Sequence, residues 1–362
     1  MLKGGPRATD SKSMLKSRRR QEKTIVGLEM DPSHLAAAQV EVKGGVSVAR
    51  GAVAELRPGI LRDGEVADPV ALTEELRKLF AENQLPTTVR LGVANQRIVV
   101  RTLDVPVVED PKALEAAVRA AAPDHIPVPM DEAVLDFQPL GEVDTPDGPR
   151  NRVVIVAVRR EMIERLVSAT REAGLELEGI DLAAFGMVRA LAPASASEHA
   201  ILYVNVAGLT NVAVANGSGC LFTRAAAGGL DAVVHTLSER RGLTQEHARQ
   251  WMQHVGLLTP LEEVEGDAEL VAATRAALEE GVHQLADTVR NSLNFYRMQE
   301  GAETVERALM TGPVLAIPGF ADKLSEQLKL PVEPAFVVVD GDDESDPARL
   351  AVAAGLAIED RV

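Results

Sequence analysis

Metal or nucleophilic chemistry in this 362-residue sequence would fall to seven histidines and one cysteine. The histidines, His34, His125, His235, His247, His254 and His283 among them, form no HExxH or comparable ligand spacing. Spacing of that kind is what brings two imidazoles around one ion. His247 and His254 stand seven positions apart on an expected helix and read as a solvated face. Cys220 lies in a predicted strand with no motif around it, which is the pattern of a buried thiol. A single cysteine excludes an internal disulfide framework and fits a reducing compartment. No catalytic residue and no metal ligand is assigned from these residues.

Charge narrows the partners. A net charge of −16 argues against nucleic acid, whose binding needs a basic surface. The basic residues Lys12, Lys16, Arg18, Arg19, Arg20 and Lys23 crowd an N-terminal stretch without apolar periodicity. That stretch reads as a disordered solubilising tail over 1–23, or as an arm drawn to anionic lipid or an acidic partner. It is not followed by the apolar region of a signal peptide, and no apolar run reaches the length of a membrane span. A cytoplasmic protein is expected.

The elements that would position any site are duplicated. Thr24–Val53 holds three apolar runs separated by a short turn at Asp31–Ser33 and a Gly-Gly turn at Gly44–Gly45. Ala200–Ala227 repeats the order, with turns at Ala207–Leu209 and Asn216–Gly217. Gly-Gly and Asn-Gly favour tight hairpins, so each copy reads as a three-stranded antiparallel meander. Helices follow each copy, at Asp68–Asn83 and Leu230–Arg240. Between them lies a β-α-β-β-α unit with strands expected at Val89–Leu103, Ala133–Leu140 and Arg152–Val158. Its helices are expected at Pro111–Ala121 and Glu161–Ala173, and Glu142–Arg150 is expected as a surface loop. Further on, helices are expected at Thr244–Val255, Leu261–Glu280 and on to Arg297, a strand at Val332–Val339, and a last helix at Pro347–Ile358.

Four stretches, in order, resemble the PilM family of actin-like type IV pilus assembly proteins, relatives of the division protein FtsA. His125–Leu140 reads HIPVPMDEAVLDFQPL, similar to the family's IPFPLDE-VLDYQ segment. Val153–Ala190 follows with a similar strand-helix-strand-helix sequence, Arg290–Arg297 reads RNSLNFYR, and Ala348–Ala357 reads ARLAVAAGLA. The resemblance implies an α/β fold of the bilobed, duplicated ribonuclease H type with a small inserted subdomain. It divides the chain into the tail 1–23, the first half over 24–97, the insertion over 98–174, a return over 175–199, the second half over 200–345, and a C-terminal helical segment over 346–362 packing on the first half.

It also implies a nucleotide site. In actin-like ATPases two hairpin turns grip the phosphates of ATP, and an acidic residue helps hold Mg2+ through water. The corresponding residues here are Glu29, Asp31 and Ser33 in the first turn and Asn205, Gly208, Thr210 and Asn211 in the second. Thr311 and Gly312 fall in the adenosine turn, Gly228 and Gly229 precede a helix as a close approach or a simple turn, and Ser292 lies on a helix beside the nucleotide. The pattern departs from the family. Glu29 replaces an aspartate, Asp31 a glycine and Pro32 a serine, Asn205 replaces a second aspartate, and Pro313–Val314 add bulk. Asp31 sets a negative charge where phosphates would lie, and Pro32 removes a backbone donor.

The function implied first is a non-enzymatic scaffold at the inner face of the cytoplasmic membrane, bound to the N-terminal tail of a PilN-like membrane protein. Other pilus proteins and a second copy are further partners compatible with that role. Val105, Val107, Ile126, Val128 and Met130 of the insertion are the apolar candidates for the tail, unless they close that unit's own core. The alternatives are a working actin-like ATPase with Mg-ATP, and a sugar kinase of the same fold.

Overall fold

The computed structural model describes residues 24–42, 45–193, 199–217, 219–299, 301–340 and 346–358. The tail over 1–23, Gly44 of the first Gly-Gly turn and most of the acidic loop after Asp340 lie outside them.

Alternating apolar residues in the first meander form β1 (Val26–Met30), β2 (His34–Val42) and β3 (Val46–Glu55). A small hairpin, β4 (Leu61–Arg62) with β5 (Glu65–Val66), leads to α1 (Pro69–Glu82). Asp68 caps α1 by accepting from the Ala71 N–H, and Pro69 occupies the first turn, where its missing N–H costs nothing. β6 (Thr88–Val93) follows, parallel to β1. The inserted unit comprises β7 (Val99–Pro106), α2 (Pro111–Ala121), β8 (Ala133–Thr145) and β9 (Gly148–Arg159). After it come α3 (Arg160–Glu172), β10 (Glu176–Leu182) and α4 (Ala183–Leu191).

The second half begins with β11 (Ala200–Val206), β12 (Thr210–Asn216) and β13 (Gly219–Ala226), then α5 (Leu230–Arg241), α6 (Gln245–Val255) and α7 (Ala268–Arg297). β14 (Val305–Thr311), α8 (Phe320–Leu328), β15 (Val332–Pro334), β16 (Val338–Val339) and α9 (Ala351–Leu356) complete it. The two large sheets run β10-β6-β1-β2-β3-β16 and β13-β12-β11-β14-β15. In both, the central strand pairs antiparallel with the next meander strand and parallel with a later one. The meanders thus lie at equivalent places in two separate sheets of one repeated design.

α4 and α9 fill the space between these sheets. Met187, Val352 and Leu356 meet Ala36 and Ala38 on one side and Ile201, Tyr203 and Leu309 on the other. The helices cross backbone to backbone: a Cβ on Gly355 would overlap the carbonyl of Gly186.

Five expectations need correction. The single strand expected at Val89–Leu103 is two, β6 in the sheet of the first half and β7 in the insertion. The stretch 142–150 is not a loop: it extends the β8–β9 hairpin, with Glu142 opposite Asn151 and Thr145 opposite Gly148, so its polar groups are satisfied by a ladder. α3, placed in the insertion, packs Met162, Leu166 and Ala169 into the core of the first half, while the insertion's own core is built from β7, β9, α2 and the segment after α2. The helix expected from Leu261 starts only at Ala268, where Asp267 caps it by accepting from Leu270 N–H. Finally, Val332–Val339 is two strands in different sheets. β15 pairs with β14, but β16, within the stretch assigned to the second half, pairs with β3 of the first.

Candidate functional site

The turn between β1 and β2 and the turn between β11 and β12 face each other from the two halves. In the first, Asp31 and His34 exchange backbone hydrogen bonds of 3.0 and 3.2 Å, leaving Pro32 and Ser33 as a two-residue loop. Pro32 thus sits where its fixed φ suits a tight turn. The Asp31 carboxylate is aimed across the gap. Its Oδ1 accepts from Ser33 N at 2.9 Å, Ser33 Oγ at 2.5 Å and Gly208 N at 2.7 Å. Its Oδ2 accepts from Leu209 N at 3.1 Å. Gly208 is required here, because a Cβ would lie 2.5 Å from Asp31 Oδ1. Burial pushes the Asp31 carboxyl above its ordinary range, and these donors pull it back.

Behind this contact is a buried polar floor of Glu29, His34, Asn205, Thr210, Asn211 and Thr311. Asn205 Nδ2 donates to Glu29 Oε1 at 3.3 Å, a second tie between the halves. Burial, and then the nearby Asp31, hold the Glu29 carboxyl well above the carboxylate range. His34 is 1% exposed, with Nδ1 2.8 Å from Ser33 Oγ. Its Nε2 has no hydrogen-bond partner and lies 3.9 Å from Glu29 Oε2. Burial, reinforced by Arg349, brings the imidazole down to about 3, so it is neutral at pH 7. His34 was passed over in the sequence, where only its lack of metal spacing was legible.

The third turn is backed by the chain's own groups. Gly312, at φ +98°, donates its N–H to Ala348 O at 3.2 Å, and Thr311 Oγ1 donates to the same oxygen at 3.0 Å. A Cβ on Gly312 would overlap Asn205 Oδ1. Gly228 and Gly229 precede α5, and the Leu230 N–H donates to Ala207 O at 2.8 Å, so this pair seats the helix on the second turn. Ser292 is buried in the core of the second half, its hydroxyl donating to Thr288 O at 2.8 Å.

A larger groove, of about 630 Å³, lies between the insertion and the rest of the molecule. One wall is the face of β8 and β9 carrying Val134, Asp136, Val154 and Val156. A second is β10 with Phe185 and Val188 of α4, and Gly219 and Cys220 at the start of β13 form the third. Both β10 and β8 are edge strands of their sheets. The expected apolar candidates are elsewhere. Val105 and Ile126 are buried in the insertion's core, Met130 packs against that core, and Val128 is buried as well. Of the five, Val107 alone is exposed, at 41%, and it does not line the groove. One signal in the sequence pointed to the floor: Val153–Val158 is apolar on both faces, yet α2 covers just one.

Among the described residues no group of three or more His, Cys, Asp or Glu is arranged to hold a metal ion, and no helix is long and apolar enough to cross a membrane. Desolvation pushes the thiol of Cys220, half-buried at the groove wall, up to about 12.

Known proteins share this architecture. The structure of a PilM-PilN type IV pilus biogenesis complex contains a chain 26% identical, with a TM-score of 0.76, over 92% of this chain and 97% of that one. The ethanolamine utilization protein EutJ of Carboxydothermus hydrogenoformans, 14% identical, gives a TM-score of 0.53 over 92% of this chain and 88% of its own. MreB5 of Spiroplasma citri bound to AMPPNP, 12% identical, gives 0.54 over 92% and 95%. These last two likenesses are of fold alone. The profile of the type IV pilus assembly protein PilM matches residues 30–360. The chain belongs to the PilM family of type IV pilus assembly proteins.

Proposed function

We propose that this protein is a non-enzymatic scaffold for assembling a type IV pilus or a related secretion system, and that it binds the extended N-terminal tail of a PilN-like inner-membrane protein in the groove beside β8, β9 and β10. The partner's class rests on the likeness to the chain of the PilM-PilN complex. The groove rests on its shape: two free strand edges offer main-chain pairing, and Val134, Val156 and Phe185 offer apolar contact for alternate side chains. Such a role places the protein at the inner face of the cytoplasmic membrane.

Mg-ATP does not fit the residues at the turns. A phosphate reaching the Gly208 and Leu209 amides would have to displace the Asp31 carboxylate, leaving it buried beside Glu29 with only Ser33 as donor. The observation that carries the non-enzymatic reading is this occupation of the second turn by Asp31. Calorimetric titration of the protein with a tail peptide, beside a titration with ATP and Mg2+, tests it. Peptide binding without nucleotide is the expected result. Micromolar Mg-ATP binding would overturn the disabled-site reading, and no binding of any co-encoded tail would overturn the scaffold.

A further inference from the structure

The Gly208 and Leu209 amides are successive backbone donors that converge on one carboxylate from the opposite half. Paired N–H groups of a glycine turn form a nest for an anion, whatever supplies it. Here the anion is the chain's own, fully enclosed and completed by both donors of Ser33. We infer that Asp31 is a built-in ligand for this nest, closing the two halves without nucleotide and thereby holding the peptide groove in its binding shape.

β12 couples the turn to the groove. This strand starts at Thr210, directly after the Gly208–Leu209 turn, and ends at Asn216, in the hairpin whose far side supplies Gly219 and Cys220 to the groove. Asp31 therefore grips one end of a short, fully paired strand whose other end forms a groove wall. The remaining walls, β8, β9, β10 and α4, belong to the insertion and the first half, which also carries Asp31. Opening the cleft at the turns would swing the Gly219–Cys220 wall relative to the other two. The core between the sheets, built on α4 and α9, would remain as the pivot.

The inference rests on the groove reading only for its binding readout. Full-length Asp31→Gly is compared with the wild type, both free of nucleotide, by amide hydrogen exchange at Gly208 and Leu209 and by affinity for the tail peptide. Loss of charge-assisted hydrogen bonds is expected to speed exchange at these amides at least about tenfold and to weaken peptide binding about tenfold. Acetate or inorganic phosphate at millimolar levels should refill the nest and restore both values in the variant, with no effect on the wild type. Wild-type exchange and affinity in Asp31→Gly would overturn the inference. Fast exchange with unchanged affinity would overturn its second clause alone. A wild type that binds no peptide would sink the groove reading, and the exchange result would still decide the lock. Should Asp31→Gly fail to fold, Gly208→Ala presses on the same contact with Asp31 in place, and unchanged exchange at Leu209 in that variant would overturn the lock.

Discussion

Placing a carboxylate on the groove floor should abolish partner binding while leaving the fold intact, and Val156→Asp is the sharpest form of that test. Val156 stands opposite Asp136 in the β8–β9 ladder and is half-buried in the groove. An aliphatic peptide side chain seated there buries roughly 150 Å² of apolar surface, worth close to 4 kcal/mol at about 25 cal/mol per Å² before ordering costs. A carboxylate beneath it removes about half of that gain and adds a second negative charge next to Asp136. The expected loss is about 2 kcal/mol, roughly a 30-fold rise in Kd by fluorescence anisotropy with a labelled tail peptide. Because the side chain is already partly exposed, folding should lose at most about 1 kcal/mol, a fall in Tm of about 3 °C. Val107→Asp, on an exposed site outside the groove, should change neither value, whereas Val105→Asp puts a charge into the insertion's core and should cost several kcal/mol of stability. A folded Val156→Asp that binds within about twofold of the wild type would refute the assignment, as would loss of binding in Val107→Asp.

The histidine on the cleft floor gives a pH test. With its pKa lowered to about 3, folded His34 refuses a proton that the unfolded chain takes up below about 6.5, so its contribution is present at neutral pH and lost as pH falls from 6.5 toward 3. Glu29 and Asp31, both raised, act in the opposite sense: their contribution is full below the unfolded carboxylate pKa and lost as pH rises through the folded one. In urea melts between pH 4.5 and 6, His34→Gln should therefore gain on the wild type by about 1.4 kcal/mol per unit of acidification, and parallel profiles would contradict a buried neutral imidazole. Gly355→Val should cost more than about 3 kcal/mol by driving a side chain into the Gly186 backbone, while Gly45→Ala, with open space around it, should stay within about 0.5 kcal/mol in the same melts. At pH 8 the Cys220 thiol, half-buried at the groove wall and pushed up by burial, should alkylate more slowly than an exposed cysteine, and a free-thiol rate in the folded protein would contradict that.

The sequence made the two meanders legible because their turns are local chemistry: an X-Pro-Ser loop, an Asn-Gly pair and apolar runs between them. It made the family legible through four spaced stretches. What escaped it depends on partners distant in the chain. A Pro- and Gly-containing stretch at 142–150 reads as a loop until β9 lies beside it to accept a ladder. The allegiance of α3 depends on α1, and the division of Val332–Val339 on two different sheets. The charge of Asp31 reads as repulsive toward phosphate, which is sound locally. That the same charge is satisfied by Gly208 and Leu209, on the other side of the cleft, no local pattern could disclose. Val105 and Ile126 failed as surface candidates because alternation marks which residues share a face but not which face a helix covers.

The helix wedged between the sheets has a consequence for how the protein is made. A ribosome delivers β1 through β10 long before it delivers α9, and at 5–20 residues per second the interval from Leu182 to Ala351 lasts on the order of 10–30 s. Throughout that interval the face of β1 and β2 that will meet Val352 and Leu356 has only α4 to cover it, and the slot at Gly27 and Gly186 has no occupant. The nascent first half is therefore a sheet that can close its own core on one face while the face awaiting α9 stays wet. Its final docking is a late insertion of a small, alanine-rich plug.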